Sequence, residues 1–138
     1  MDNFLRSFEP YFYALLRIVT GFMFALHGAQ ILFGFPPSGK PAQPLGAFMT
    51  FGGILELVLG LMVMLGLFAG FAAFIASGEM AVAYFMAHQP AGILPIQNGG
   101  ELAVLYCFIF LFIAARGSGV LSLDSLIFRK GAETVDRT

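Results

Sequence analysis

Three glutamates stand alone in a long apolar stretch of this chain. Glu56, Glu79 and Glu101 are the only charged residues between Lys40 and Arg116. A carboxylate in a hydrocarbon environment costs several kcal/mol unless it is paired, protonated or hydrated. Carboxyl groups in such places can accept and release protons or hydrogen-bond a ligand. We therefore treat the three glutamates as candidates for one shared site.

The composition indicates which solvent surrounds these residues. The chain has 138 residues, of which 59% are hydrophobic and 11% charged, whereas a soluble domain has roughly 25% charged residues. A core of this size cannot bury so much apolar surface, so the excess is expected to face lipid. The net charge of −1 excludes the basic field of a nucleic-acid-binding protein. The single cysteine, Cys107, permits neither an intrachain disulfide nor a cysteine-based zinc motif.

The apolar runs predict an all-α integral membrane protein, a four-helix antiparallel bundle forming one transmembrane domain over 1–138. A bilayer core about 30 Å thick needs roughly 20 apolar residues as helix. The helices are expected at about 11–34, 46–67, 69–87 and 99–115, with a polar tail over 117–138. The first residues lack the basic and small-residue features of a cleaved signal peptide, so we expect the first span to be retained.

The distribution of basic residues predicts the orientation of the bundle. The outer ends of the first and fourth helices carry Arg6, Arg116, Arg129, Lys130 and Arg137. The long loops on the other side contain only Lys40. Because basic residues concentrate on the cytoplasmic side, both the N- and the C-terminus are expected to be cytoplasmic.

Position along each helix predicts the depth of the polar residues. Glu56 and Glu79 fall near the membrane midplane, and Glu101 falls near the outer start of the fourth helix. The first two share helix faces with Gly52, Gly60 and several alanines, and small residues mark close helix packing in membranes. The sequence therefore predicts a polar pocket that opens outward and ends near the membrane centre. The candidate ligand or proton site comprises His27, Glu56, Glu79, Glu101, Arg17, Gln30 and Tyr106.

Several of these residues permit two interpretations. Glu56 and Glu79 either lock helices together or relay protons to a ligand. Arg17, in the cytoplasmic half, either pairs with them or extends to the cytoplasmic headgroups. Haem held between His27 and His88 is disfavoured because His88 ends a helix. No metal site is predicted, since the Glu-x-x-His pairs of a di-iron bundle are absent.

Four ordered motifs resemble the DoxX family over about residues 15–124. Leu16-Arg17-Ile18-Val19-Thr20-Gly21, followed by His27-Gly28, resembles the family's first helix. Gly52-Gly53-Ile54-Leu55-Glu56 resembles the second helix, and Asn98-Gly99-Gly100-Glu101-Leu102 begins a segment similar to the fourth. Gly117-Ser118-Gly119 with Leu121-Ser122-Leu123-Asp124 resembles its C-terminal signature.

The resemblance implies a four-helix protein of the bacterial inner membrane. Members of this family are linked to quinone-dependent redox chemistry, including thiosulfate:quinone oxidoreductase subunits, and to membrane complexes of the oxidative-stress response. Related eukaryotic proteins assist receptor assembly. The implied partners are the lipid bilayer, a quinone and other membrane or redox subunits.

Three functions follow as alternatives from these observations. The first is a redox-linked subunit that binds a quinone or another small apolar ligand near His27, Glu56, Glu79 and Glu101. The second is a non-catalytic accessory or assembly protein whose polar core is structural. The third is a transporter of a small solute or protons, which with only four helices would need oligomers.

Overall fold

The computed structural model describes residues 2–39 and 44–128. These residues form helices joined by short turns, without strands in the described part of the chain. The helices are α1 Asp2–Ser7, α2 Glu9–Phe33, α3 Ala47–Leu65, α4 Ala69–Ala83, α5 Pro95–Asn98 and α6 Glu101–Arg116. A π-helical turn, Tyr84–His88, and a 3-10 turn, Gln89–Ala91, extend α4. A further short helix covers 123–128.

The all-helical class predicted from sequence is confirmed for the described residues. Three helical segments are long and apolar enough to cross a membrane, namely Glu9–Phe33, Ala47–Leu65 and Ala69–Ala91. The fourth long helix, α6, has 16 residues and is about 24 Å long at the usual helical rise. Large apolar side chains cover the outside of the molecule, for example Phe71 and Phe108, each more than 60% exposed. This outward apolar surface is that of a protein whose solvent is lipid.

Helices α2 and α3 pack antiparallel with their backbones in contact. A Cβ atom built onto Gly21 would lie 2.4 Å from Met64 N, and one on Gly28 would lie 2.4 Å from Leu57 N. A Cβ on Gly60 would lie 2.5 Å from Ala25 N. Only glycine allows so close an approach. The packing role expected for Gly60 is therefore observed, and Gly21 and Gly28 share it.

The turn between α3 and α4 depends on Gly66. This residue has φ +70°, which favours glycine, and its amide donates to Val63 O while the Leu67 amide donates to Met62 O. These two bonds form a Schellman motif, which satisfies the last carbonyls of α3. The α4 helix begins three residues after Gly66, so α3 and α4 are held antiparallel as neighbours.

Helix α6 runs antiparallel to α4 and completes the core. Ser77 Oγ on α4 donates to Cys107 O on α6 at 2.8 Å. The centre of the bundle contains Phe24, Phe110 and Ile113, each at most 1% exposed. The rings of Phe24 and Phe110 pack edge to face, with their centroids 4.7 Å apart. These contacts fix the rotation of α6, and they decide which of its residues face the interior.

Several sequence predictions fall outside the described residues. They concern Lys40 in the first long loop, and Arg129, Lys130 and Arg137 in the tail.

The third helix, expected over 69–87, is α-helical to Ala83, and the π-helical turn then carries the chain through His88.

Candidate functional site

A cavity of about 250 Å³ lies between α2, α3, α4 and α6, towards the end of the bundle that contains His88. We call it the inner cavity. Its walls combine apolar side chains with two histidines, a carboxyl group and a phenol. The lining residues are Phe24, His27, Glu56, Met80, Ala83, His88, Gly99, Leu102, Ala103 and Tyr106. An apolar wall with a small number of converging polar groups is typical of a small-molecule binding site.

Tyr106 is the polar residue held most firmly in this wall. Its ring lies parallel to that of Phe110 at 5.6 Å and meets Phe24 at 5.4 Å. The residue is 5% exposed, yet its hydroxyl has no hydrogen-bond partner among the described residues. An unpaired buried hydroxyl costs about 1–3 kcal/mol. The Tyr106 hydroxyl therefore lacks the hydrogen-bond partner that a buried polar group needs, beside a cavity that this residue lines.

His27 and Glu56 reach the same cavity from α2 and α3. The His27 ring meets Tyr106 edge-on, with the centroids 6.2 Å apart. One carboxyl oxygen of Glu56, Oε2, is buried without a hydrogen-bond partner among the described residues. The sequence-predicted His27, Glu56 and Tyr106 are thus brought together by three different helices.

Glu79 lies close to Glu56 but outside the wall of the inner cavity. A Cβ on Gly52 would lie 3.7 Å from Glu79 Oε1, which places this carboxyl group in the crevice between α3 and α4. Its Oε2 is buried and without a partner in the described part of the chain. The two carboxyl groups lie within electrostatic range of each other. Gly52 thus accommodates Glu79, whereas Gly28 and Gly60 pack helices.

A hydrogen-bonded turn borders the inner cavity at the end of the bundle that contains His88. His88 Nδ1 lies 3.3 Å from Asn98 O. The Asn98 side chain donates to Gly92 O at 2.8 Å and to Tyr84 Oη at 3.2 Å, and its own oxygen accepts the Gly100 amide at 2.8 Å. Sequence reasoning missed Asn98, although Asn followed by Gly-Gly is a recognisable turn signal. The π-helical turn that carries His88 is of a kind often found at functional sites.

Gln30 borders a second cavity of about 200 Å³, which we call the outer groove. Its lining residues are Met23, Leu26, His27, Gln30 and Pro36. Gln30 Nε2 donates to Pro36 O at 2.7 Å and so ties the loop after α2 to the helix. Gln30 therefore lies beside the groove rather than in the inner cavity.

Glu101 lies apart from the other candidates. It is exposed at the start of α6, where a carboxylate is favoured by the helix dipole. Leu105, Phe108 and Phe112, which share its helix face at helical spacing, are between 51% and 64% exposed. This face of α6 points outward, so the expectation that Glu101 lines the pocket does not match its position. The inward face carries Ala103, Tyr106, Phe110 and Ile113.

Arg17 lies at the opposite end of the bundle from His88 and is a structural residue. It is 0% exposed. Its Nη1 donates to Val63 O at 2.6 Å and to Met64 O at 2.8 Å, and its Nη2 donates to Leu121 O at 2.7 Å. Its cation thus faces the carbonyl end of α3, where positive charge is stabilised. Arg17 neither pairs with Glu56 or Glu79 nor extends to the lipid headgroups.

Asp124 completes this arrangement, which we call the Arg17 lock (Arg17, Gly66, Ser118, Ser122 and Asp124). Its carboxylate accepts the Phe68 amide at 2.9 Å and the Ser118 hydroxyl, and its own amide donates to Gly66 O at 3.1 Å. A Cβ on Gly66 would lie 2.3 Å from Ser122 Cβ. The lock therefore joins α2, the α3–α4 turn and the segment after α6.

A second set of contacts strengthens the same end. Arg116 forms an ion pair with Glu9 and lies 4.5 Å above the Tyr13 ring. Tyr13 donates to Gly117 O. Within the described residues, groups of three or more His, Cys, Asp or Glu side chains that can hold a metal ion are not found.

The fold and the apolar exterior define a small, all-helical membrane protein with a cavity inside the bundle, lined by apolar side chains and a few polar groups. The pattern of the DoxX family matches residues 12–89, more than half of the chain. The chain belongs to the DoxX family.

Two relatives from Haemophilus influenzae, both described as uncharacterized proteins, match the chain. One is 42% identical over 136 residues, covering 93% of this chain and 99% of the relative. The other is 31% identical over 72 residues, covering 52% of this chain and 48% of the relative. A search of solved structures returned no significant match.

Proposed function

We propose that this DoxX-family protein binds the headgroup of a quinone, or of a similarly small apolar molecule with hydrogen-bonding oxygens, in the inner cavity. The unpartnered hydroxyl of the buried Tyr106 is the observation that carries the proposal. A ligand carbonyl oxygen would accept this hydroxyl and remove the cost of leaving it unpaired. His27, His88 or Glu56 would bind a second ligand oxygen across the cavity.

The size of the cavity favours a small ring. Its volume of about 250 Å³ is below the roughly 300–1,000 Å³ of ordinary ligand pockets. A single-ring headgroup suits this volume better than a tetrapyrrole does. The apolar wall of Phe24, Met80 and Leu102 would pack against the faces of such a ring.

In the proposed quinone chemistry, the carboxyl groups of this chain would transfer protons. Reduction of a quinone to a quinol takes up two electrons and two protons. We assign the electrons to a partner redox subunit and part of the proton transfer to Glu56, which lines the cavity and has one unpartnered carboxyl oxygen among the described residues. Glu79, within electrostatic range of Glu56, would exchange protons with it from the α3–α4 crevice. The protein would thus bind and protonate the ring, acting as a membrane subunit of a larger complex.

Tyr106→Phe is the sharpest test of the binding proposal. The change removes the unpartnered hydroxyl and keeps the ring packed against Phe24 and Phe110. Loss of one ligand hydrogen bond is expected to weaken quinone affinity about tenfold. Thermal stability without ligand should be unchanged or higher, because an unpaired polar group is removed. Tyr11→Phe, at a site 57% exposed, is the matched control and should change neither quantity.

The measurements are the quinone extracted from the purified protein, its optical spectrum, and titration with a short-chain quinone in nanodiscs. Glu56→Gln should retain binding of the oxidised quinone but slow its protonation when a reductant is supplied. If the wild-type protein carries no quinone and does not bind the added one, the proposal is wrong.

An accessory or assembly role is the second candidate, and the Arg17 lock favours it. The most deeply buried charge of the described residues has a structural role, as a scaffold protein would require. Co-purification in a gentle detergent distinguishes the two. If the protein has an accessory or assembly role, a partner protein remains bound both to Tyr106→Phe and to the wild type, and quinone is absent from both.

We further propose that all four long helices cross the bacterial inner membrane, with both termini in the cytoplasm. The bond from Arg17 to Leu121 O and the bond from Tyr13 to Gly117 O bring the first half of α2 and the segment after α6 to the same end of the bundle. The basic residues Arg6 and Arg116 support the cytoplasmic assignment of that end. In a Cys107→Ala background, Gln97→Cys should react with an impermeant maleimide from outside intact cells, and Asn3→Cys only in inverted vesicles. Labelling of Asn3→Cys in intact cells would refute this orientation.

A further inference from the structure

The inner cavity and the outer groove meet at His27. His27 is the residue that lines both of them. His27 itself is exposed, and so is Met23 at 45%. The junction is therefore accessible from outside the bundle, at the lipid-facing surface of α2.

The two spaces differ in chemistry. The inner cavity is bordered by Glu56, His88 and the unpartnered Tyr106 hydroxyl. The outer groove is bordered mainly by Met23, Leu26 and Pro36, and the amide of Gln30 donates to the loop backbone. The arrangement suits a molecule with a polar head and an apolar tail.

The volumes support a shared occupant. The inner cavity alone is smaller than ordinary ligand sites, whereas the two spaces together fall within the usual range of roughly 300–1,000 Å³. A tail attached to a ring in the inner cavity would pass His27, the residue that both spaces share, to reach the groove and then lipid.

We propose that the outer groove binds the first part of the hydrocarbon tail of a ligand whose ring lies in the inner cavity. This inference rests on the proposed function. Leu26 and Met23 contact the tail and determine the preference for tailed over tail-less molecules. His27 lies at the junction between ring and tail, and the bond from Gln30 to Pro36 holds the loop that covers the groove.

Leu26→Trp tests the inference by filling the groove. Leu15→Trp is the matched control, because Leu15 lies on the same side of α2 three turns away and is 58% exposed. The full chain in nanodiscs is titrated with a tail-less 1,4-benzoquinone and with the same ring carrying a decyl chain. Leu26→Trp is expected to weaken binding of the decyl compound about tenfold and to leave binding of the tail-less ring unchanged. Leu15→Trp should alter neither.

A second variant, Met23→Trp, keeps the inference testable if Leu26→Trp does not fold. Met23→Trp enters the groove from a more exposed position, and it should produce the same selective loss if Leu26→Trp does not fold. If both tryptophan variants fold and bind the two compounds as the wild type does, the inference is wrong while the proposed function stands. If the wild type binds neither compound, the proposed function fails as well. An equal loss for both compounds would overturn the tail assignment, since the groove would then contact the ring.

Discussion

Gly60 is the position where one added methyl group should separate α2 from α3. In Gly60→Ala the new Cβ would lie 2.5 Å from Ala25 N and 2.8 Å from Gly21 O, both backbone atoms. Non-bonded heavy atoms pack best at about 3.5–4.0 Å, so the two helices must move apart by about 1 Å. A side chain cannot relieve this contact by changing rotamer, because the obstruction is backbone.

The loss of stability in Gly60→Ala can be isolated by comparison with a matched variant, Gly78→Ala. Overpacking of this kind costs about 1–3 kcal/mol, while replacing a mid-helix glycine by alanine gains about 0.5–1 kcal/mol in helix propensity. Gly78→Ala shares the second effect but not the first, because a Cβ there meets nothing within 4 Å. The difference between the two variants is therefore the packing cost alone, about 1–3 kcal/mol.

The assay is unfolding of the purified protein in detergent, followed by circular dichroism during titration with a denaturing detergent. Gly60→Ala should unfold at a lower concentration of denaturing detergent than the wild type. Gly78→Ala should unfold at the same concentration as the wild type or at a higher one. Quinone affinity should fall together with stability in Gly60→Ala, because Glu56 lies one turn away and moves with α3. Equal stability of the two alanine variants would refute backbone contact between α2 and α3.

Three further outcomes are expected from other parts of the structure. Arg17→Leu should lower the free energy of unfolding by roughly 3 kcal/mol or more, because buried carbonyls lose charged donors; a variant as stable as the wild type in the same titration would refute the lock. Asn98→Ala should increase hydrogen exchange over residues 89–100, since it removes three bonds of the turn; unchanged exchange would contradict this. Gly52→Ala should be tolerated, because its Cβ would make only ordinary contact with Glu79; a loss as large as that of Gly60→Ala would count against the assigned packing.

Local patterns were enough to predict the helices. Runs of apolar residues interrupted by Pro- and Gly-rich loops indicate helix in a protein of this composition, because only a closed hydrogen-bond pattern satisfies the backbone in lipid. The same patterns singled out His27, Glu56 and Tyr106, and the structure brings these three together at one cavity.

The rotation of each helix about its axis, which decides which residues point into the bundle, was harder to predict. Helix α6 is apolar on all sides, so its sequence contains no periodic signal that separates the inward from the outward face. Glu101 was expected to line the pocket because it is one of the three charged residues of the apolar stretch, and it is exposed. The rings of Phe24, Tyr106 and Phe110 pack against one another in the core and set the rotation that turns Glu101 away.

The sequence alone determined the solvent of this protein, its all-helical class and the rarity of its charges, because these depend on composition and on residues a few positions apart. Tertiary structure alone decided the partners of those charges. Arg17 finds its acceptors at Val63 and Leu121, far along the chain, and so serves stability rather than Glu56 or Glu79. Glu56 borders the cavity while Glu79 lies in the neighbouring crevice. Such contacts depend on how helices rotate and cross, and that is set by backbone contact at glycines and by stacked rings rather than by any local pattern.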